Sequence, residues 1–369
     1  MPKILFVSNT ANFSKFNRPY MQALRKNGWI VHYASAGEEN VTDCDESFAI
    51  NLSRSPFSLR NIKAIIELKK IIAEYNYDII HCHTPMGGVV ARIAGKSFRK
   101  DGLKIIYTAH GFHFYKGAPL VNWCLYYPIE LFLSRFTDVL ITLNKEDYTC
   151  AKQHFGIKKL YMLNSVGVNL ENFYPIATKA KRNDLREHYN FSQDDFVLLY
   201  VAEFIPRKNH RLLFNLLPSL KASIPNLRVV LAGKGPLFDT YLDYARMNNL
   251  MDIVSFVGYV SNVADYCRLS DLLFMPSLQE GLPMALIEAL ATGLPVVCSK
   301  IRGHVDIIQN GKNGFLCDLN KPDSFFDAVI NLYNDSCLRD SMRITNIATV
   351  KKYSLDIILD EMMKIYNET

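Results

Sequence analysis

Two glutamates eight positions apart bracket a glycine and a proline in the run Glu280-Gly281-Leu282-Pro283-Met284-Ala285-Leu286-Ile287-Glu288. An apolar strand, Leu272 to Met275, precedes them, and a helical run begins at the proline. Proline suits the first turn of a helix, where its missing N–H costs nothing. Gly281 lets the backbone come close to a bound group, and the free N–H groups of a helix start form an anion site. Glu288, about one turn further in, faces the same pocket and can accept hydrogen bonds from sugar hydroxyls. Taken alone, the pair is equally what a buried strand–turn–helix with two surface glutamates would carry.

Other loops sharpen the reading. Ala202-Glu203-Phe204-Ile205-Pro206-Arg207-Lys208-Asn209-His210 follows a strand ending at Val201. Adjacent cations there suit a diphosphate: Arg207 can clamp two oxygens and Lys208 adds a point charge. As a merely solvated helix start, the same pair would oppose the helix dipole by roughly a few tenths of a kcal/mol. Ala232-Gly233-Lys234-Gly235-Pro236 follows the next strand, and its glycines permit positive φ and close approach to a ligand. His81-Cys82-His83 is the one metal-like cluster, but alternation along a strand turns Cys82 away from both histidines, so no metal is expected. It reads as a strand end lining a cleft.

These loops need a scaffold, and strand and helix signals alternate along the whole chain. Apolar runs at Ile4–Val7, Ile30–Tyr33, Asp78–His81, Lys104–Thr108 and Val139–Thr142 fill the first half. Phe196–Val201, Leu227–Leu231, Val254–Val257, Leu272–Met275 and Val296–Cys298 fill the second. Leu59 to Tyr75 is the clearest amphipathic helix, with Lys63, Lys69 and Lys70 among its polar positions. Such alternation predicts α/β architecture with doubly wound parallel sheets. The expected organisation is a first domain over 1–176, a polar linker over 177–192, a second domain over 193–350 and a closing helix within 351–369. Ligands of such sheets bind beyond the carboxyl ends of the strands, where the unusual loops fall.

The E-x(7)-E run with its glycine and proline resembles the signature of retaining glycosyltransferases of family 4. The resemblance covers nearly the whole chain and is most specific from about Val197 to Leu316. It implies the GT-B fold, two Rossmann-like domains facing across a cleft, and a UDP-activated sugar donor. It also implies no required cofactor or metal, because Arg, Lys and a helix N-terminus neutralise the leaving diphosphate. On this resemblance Glu280 contacts the donor sugar, while Glu288 binds the nucleotide with Gly281, Leu282, Met284, Gly233 and Gly235. Arg207 and Lys208 serve both binding and catalysis. Glu203 stands where the family usually has its first arginine, which leaves the guanidinium to Arg207.

His110, in Thr108-Ala109-His110-Gly111-Phe112-His113, resembles the family's catalytic-cleft histidine. Gly111 opens the loop beside it, although His113 is the alternative, with the other ring packed. The acceptor side takes in Asn9 and Asn12 after the first strand, where relatives carry Gly-Gly, together with His83, Thr84 and Gly87. Arg302 joins them from an R-G-x-x-D run resembling enzymes of capsular and lipid-linked glycans. Rival readings of the same scaffold are a nucleotide-sugar epimerase and a non-catalytic interaction module.

At 369 residues the chain suggests two domains, and no apolar run approaches the ~18–20 residues of a membrane-spanning helix. The N-terminus reads as a strand and a polar loop, too short for a signal peptide. The eight cysteines are scattered, as reduced thiols in a cytosolic protein would be. Residues 1–182 hold 24 Lys and Arg against 14 Asp and Glu, whereas residues 183–369 hold 18 against 22. The basic half predicts contact with an anionic membrane surface. No nucleic-acid motif is present. Aromatic residues from Phe112 through Ile129 fit a headgroup boundary or, equally, a core beneath the cleft. The expected setting is cytoplasmic, peripheral to the inner face of the membrane, with a polyprenyl-diphosphate-linked acceptor.

Overall fold

Parallel strand pairing organises both halves of the chain. A computed structural model describes residues 1–37 and 41–369. It contains two compact units, Met1–Val166 with Asp356–Thr369, and Gly167–Leu355. In the first unit β1 (Lys3–Val7), β2 (Ile30–Ser35), β3 (Glu46–Ala49), β4 (Ile79–His83), β5 (Lys104–Ala109), β6 (Val139–Thr142) and β7 (Lys159–Met162) form one sheet. Its order is β3-β2-β1-β4-β5-β6-β7, parallel throughout. In the second, β8 (Phe196–Val201), β9 (Leu227–Ala232), β10 (Val254–Gly258), β11 (Leu272–Met275), β12 (Val296–Ser299) and β13 (Gly314–Cys317) pair in the order β10-β9-β8-β11-β12-β13. These pairs are also parallel.

Strands buried on both faces read as continuous apolar runs, so the central ones stand where expected. β3, β7 and β13 carry no such run: each lies at a sheet edge, β3 and β7 without a buried residue and β13 with its two middle residues half-buried. The order of each sheet reverses beside its first strand, between β1 and β4 and between β8 and β11. Loops leaving those adjacent strands run in opposite directions and open a crevice.

Alternation sorts the side chains of the first sheet. Leu5, Val7, Ile80, Cys82, Ile105 and Tyr107 join one core cluster. His81 lies on the other face, its Nδ1 2.7 Å from the hydroxyl of Tyr366 in the C-terminal helix Leu355–Glu368. Helix Pro85–Gly95 is tied to helix Leu120–Ser134 by a buried bidentate pair, Arg92 with Glu130, at 2.8 and 3.0 Å. Gly88 makes room for the Tyr107 ring, which a Cβ would meet at 2.6 Å.

Other expectations change. The segment over 177–192 contains helix Lys179–His188 and lies inside the second unit. Arg182 and Arg186 from that helix both reach the Asp271 carboxylate, at 2.8 and 2.7 Å. Its polar composition reflects an exposed helix held by side-chain bonds. The chain re-enters the first unit at Asp356, so most of the final helix belongs there. In helix Arg60–Tyr75 the buried face is Asn61, Ala64, Leu68 and Ile72, while Ile62 and Ile66 stand 57% and 52% exposed. No helix among the described residues is long and apolar enough to cross a membrane.

Candidate functional site

Each switch point carries a polar cluster. In the second unit the chain leaves β8, makes a tight turn at Pro206–Lys208 and enters helix His210–Ser223. Asn209 takes the left-handed conformation, φ 55°, that redirects the backbone into the helix. Its amide donates to the Pro276 carbonyl at 3.1 Å, and Leu278 N–H donates to the Arg207 carbonyl at 2.8 Å. The loops after β8 and β11 are thereby zipped together. Lys208 Nζ lies 2.5 Å from Glu280 Oε1, and Arg207 Nη1 lies 3.3 Å from Oε2. Arg302 Nε donates to the Glu280 carbonyl at 3.2 Å. Burial alone would raise the Glu280 carboxyl, but the charge and hydrogen bond of Lys208, with Arg207, hold it below its ordinary value. The carboxylate is ionised, with two cations around it.

Glu288 is different. It lies one turn inside helix Met284–Ala291, whose N-cap is Pro283 at φ −83°, one position before the first turn in which proline was expected. Burial pushes its carboxyl up to about 7. Near neutral pH it therefore passes between a protonated form that donates a hydrogen bond and a carboxylate that only accepts. The first N–H groups of this helix have no intrahelical acceptor, which makes them available to an anion.

The glycines of the β9 loop act on a neighbouring loop. A Cβ on Gly233 would fall 1.9 Å from the Ala202 carbonyl oxygen, and one on Gly235 2.7 Å from that of Phe204. Their φ values, 149° and 155°, let this loop press against the one carrying Arg207. The close approach these glycines permit is made here to the backbone of the neighbouring loop. Gly303 fits the Gly281 carbonyl in the same manner, at 2.7 Å from a would-be Cβ. Arg302, expected on the acceptor side, lies in the second unit with Glu280. Glu203 is exposed.

Sequence reading missed His304. It is fully buried, with Nδ1 2.8 Å from the Ser299 carbonyl oxygen and Nε2 without a partner. Burial lowers its pKa to about 4, against the pull of the Glu280 charge. It sits within the R-G-x-x-D run, and its spacing gave no reason to single it out.

In the first unit the cluster is built from imidazoles and amides. Thr84, between β4 and helix Pro85–Gly95, is held at φ 64°, a costly conformation for a β-branched residue. Its hydroxyl accepts from Asn9 N–H at 3.1 Å, joining the loops after β1 and β4. Gly87 lets the helix approach, since a Cβ there would lie 3.1 Å from Ser8 Cα. His83 Nδ1 is 3.2 Å from His110 Nε2, and the Phe13 ring packs edge-on to His110 at 4.9 Å. Burial lowers His110 to about 4 and holds His83 well below its ordinary value, so both rings are neutral at pH 7. Two buried polar atoms here have no partner: Asn9 Oδ1 and His83 Nε2. Asn12 is exposed on the same loop.

His113, half-buried like His110, stacks on Tyr126 at 4.6 Å. The aromatic stretch around it is largely core: Phe112 and Phe114 are buried, and Trp123 and Tyr127 pack against Phe114. Exposed there are Leu120 at 81% and Val121 at 65%. Cys82 donates to the Ile106 carbonyl within the core, and no group of His, Cys, Asp and Glu among the described residues is arranged to hold a metal.

Residues 3–144 match the family model for glycosyl transferase 4-like domains, and residues 181–348 that for glycosyl transferases group 1. A putative glycosyltransferase of Bacillus subtilis (strain 168), EpsD, is 39% identical over 99% of this chain and 96% of its own length. The Escherichia coli UDP-Gal:alpha-D-GlcNAc-diphosphoundecaprenol alpha-1,3-galactosyltransferase is 30% identical over 86% of this chain and 82% of its own. Among solved structures, HepE of Anabaena in complex with UDP-glucose superposes with a TM-score of 0.82 at 16% identity, covering all of both chains.

Proposed function

The chain belongs to the glycosyltransferases of family 4, with the GT-B fold, of the type that builds bacterial capsular and exopolysaccharides, and we propose a finer reading on that premise. It moves a sugar from a UDP-activated donor, with retained configuration and no essential metal, onto a polyprenyl-diphosphate-linked glycan. The observation that carries this is the Arg207–Glu280–Lys208 cluster at the β8/β11 switch point. Arg207 and Lys208 take the diphosphate as its negative charge grows, aided by the start of helix Met284–Ala291. The Glu280 carboxylate turns to the sugar hydroxyls, and Glu288 holds the ribose. His110, neutral, hydrogen-bonds the sugar. The bond from the anomeric carbon to the phosphate oxygen breaks, the acceptor oxygen bonds on the same face, and its proton passes to the departing diphosphate.

UDP-glucose in HepE and the lipid diphosphate named for the E. coli relative support the substrate classes. The test is thermal stabilisation by a panel of UDP-sugars, followed by turnover on a lipid-linked acceptor with and without EDTA. Turnover without acceptor favours the epimerase. Stabilisation by no UDP-sugar, or loss of activity in EDTA restored by a divalent ion, sinks the reading.

The first unit docks on an anionic leaflet. Support comes from Leu59, Ile62 and Ile66, exposed together with Lys63, Lys69 and Lys70 at helix Arg60–Tyr75. Each lysine near such a surface adds roughly 1 kcal/mol, so binding falls with salt. Sedimentation with anionic and neutral vesicles at two salt concentrations checks this, and equal, negligible binding to both rejects it.

A further inference from the structure

A cavity of about 70 Å³ in the second unit is lined by Arg182, Arg268, Arg339, Arg343, Asp271 and Asp340. That volume is several times what one water needs. Asp271 and Pro295, also on its wall, immediately precede β11 and β12, so the cavity lies at the amino ends of the strands whose carboxyl ends lead toward Glu280 and Arg302. Helix Met284–Ala291 connects the two ends: it begins beside Glu280 and finishes at Thr292 and Gly293, which line the cavity.

The charges around the cavity do not cancel. Asp271 is shared by Arg182 and Arg186. Arg268 is paired with Asp265 at 2.9 Å. Arg343 donates to one carbonyl, that of Ile176, at 2.9 Å. Arg339 bonds the carbonyls of Leu332 and Tyr333. Among the described residues neither Arg339 nor Arg343 has a carboxylate within ion-pair distance, and Asp340 is the remaining negative group on the wall. A guanidinium carries five N–H donors, so most of those on Arg343 are unused. Burial, followed by the charge of Arg182, lowers Arg343, with Asp340 acting in the opposite sense.

Gly293, at φ +82°, leaves space for Arg343, whose Cγ a Cβ there would meet at 2.7 Å. One cation beside a helix C-terminus is what the helix dipole favours. It does not account for two guanidinium groups without a carboxylate partner, those of Arg339 and Arg343, beside an Arg182 that shares its one carboxylate with Arg186.

We propose that this cavity binds a phosphate-class dianion, as free phosphate or as the phosphoryl group of a small phosphorylated metabolite, separately from the donor site. Planar guanidinium forks match phosphate oxygens in pairs, and Arg339 and Arg343 supply them, while Arg182 is held by Asp271 and the carbonyls of residues 268–270.

The test is calorimetric and thermal titration of the full chain with inorganic phosphate, at ionic strength held constant with chloride, with and without saturating UDP. A parallel arm uses glycerol 3-phosphate. Phosphate should raise Tm additively with UDP. Arg343→Gln and Arg339→Gln should each weaken phosphate at least tenfold while keeping the UDP shift, whereas Arg207→Gln should do the reverse. Asp340→Asn, at an exposed position that threatens no packing, should tighten phosphate severalfold. Tighter binding of glycerol 3-phosphate than phosphate identifies a metabolite; the opposite order identifies the free ion. Displacement of phosphate by UDP, no phosphate binding in the wild-type chain, or unchanged affinity in Asp340→Asn overturns the proposal. Only the Arg207→Gln arm bears on whether Arg207 holds UDP; absent phosphate binding or an unchanged Asp340→Asn affinity leaves that reading standing.

Discussion

The loops at the two switch points are built from opposite materials. After β8 and β11 the chain places a carboxylate, held below its ordinary pKa, within ion-pair distance of both Arg207 and Lys208. After β1, β4 and β5 it places imidazoles that burial keeps uncharged, with an amide oxygen and a ring nitrogen left unpartnered. A departing diphosphate requires fixed positive charge. An acceptor or sugar hydroxyl requires one donor and one acceptor in a dry setting, where an unmet polar atom binds strongly because leaving it unmet is costly. The contrast is between electrostatic neutralisation and hydrogen-bond selection.

The largest effect expected is on the charged side. Arg207→Ala and Lys208→Ala should each lower turnover by about 10²–10³, as removal of one oxyanion donor does. Their effects on folding should differ. Lys208 is 13% exposed and its loss strands a buried carboxylate, at a cost of about 3–5 kcal/mol. Arg207 is 47% exposed and should cost roughly 1 kcal/mol or less. Steady-state kinetics with urea titrations check both; a fully active double variant would break the assignment.

On the uncharged side the effect should be smaller. His110→Ala should reduce kcat by roughly 10–10²-fold, the scale of one or two buried hydrogen bonds. Because its pKa is near 4, the rate between pH 5.5 and 8 should show no step that disappears in this variant. His83→Gln should retain more activity than His83→Ala, since the amide can still meet His110. Equal loss in both would reduce His83 to a packing role.

The smallest effect sharpens the boundary between the two regions, since Glu288 belongs to the charged unit but is raised by burial. Its folded pKa, about 7, lies above the ordinary 4.5, so its protonated form stabilises the fold. That contribution is complete below pH 4.5 and is lost as pH rises through 7. UDP binding should move the other way, tightening toward pH 8 as the carboxylate forms to accept from the ribose. Glu288→Gln should flatten both profiles, and Tm scans with and without UDP from pH 5 to 8 measure them. A UDP shift independent of pH in the wild type would place the ribose elsewhere.

Much of this arrangement was legible in the linear chain. Central strands such as β8 and β11 are buried on both faces and so announce themselves as apolar runs, and Arg207, Lys208, Glu280 and His110 stand out because they directly follow such runs. β3, β7 and β13 left little signal, since an edge strand needs no apolar face on both sides. The helix at Lys179–His188 was hidden because Arg182 and Arg186 anchor it through Asp271 rather than through an apolar stripe.

By itself the sequence determined the α/β class, the family, and which loops carry charge, because burial patterns and loop residues are local properties. Tertiary structure alone decided which loops meet. Lys208 and Glu280 are separated by 72 positions and His83 and His110 by 27, and their contact depends on β8 lying beside β11 and β4 beside β5. It also decided that Gly233 and Gly235 pack against neighbouring backbone, that Arg302 stands with Glu280, and that His113 stacks on Tyr126 while His110 adjoins His83. Strand order is a global property: every pairing must suit both cores at once, and no residue spacing encodes it.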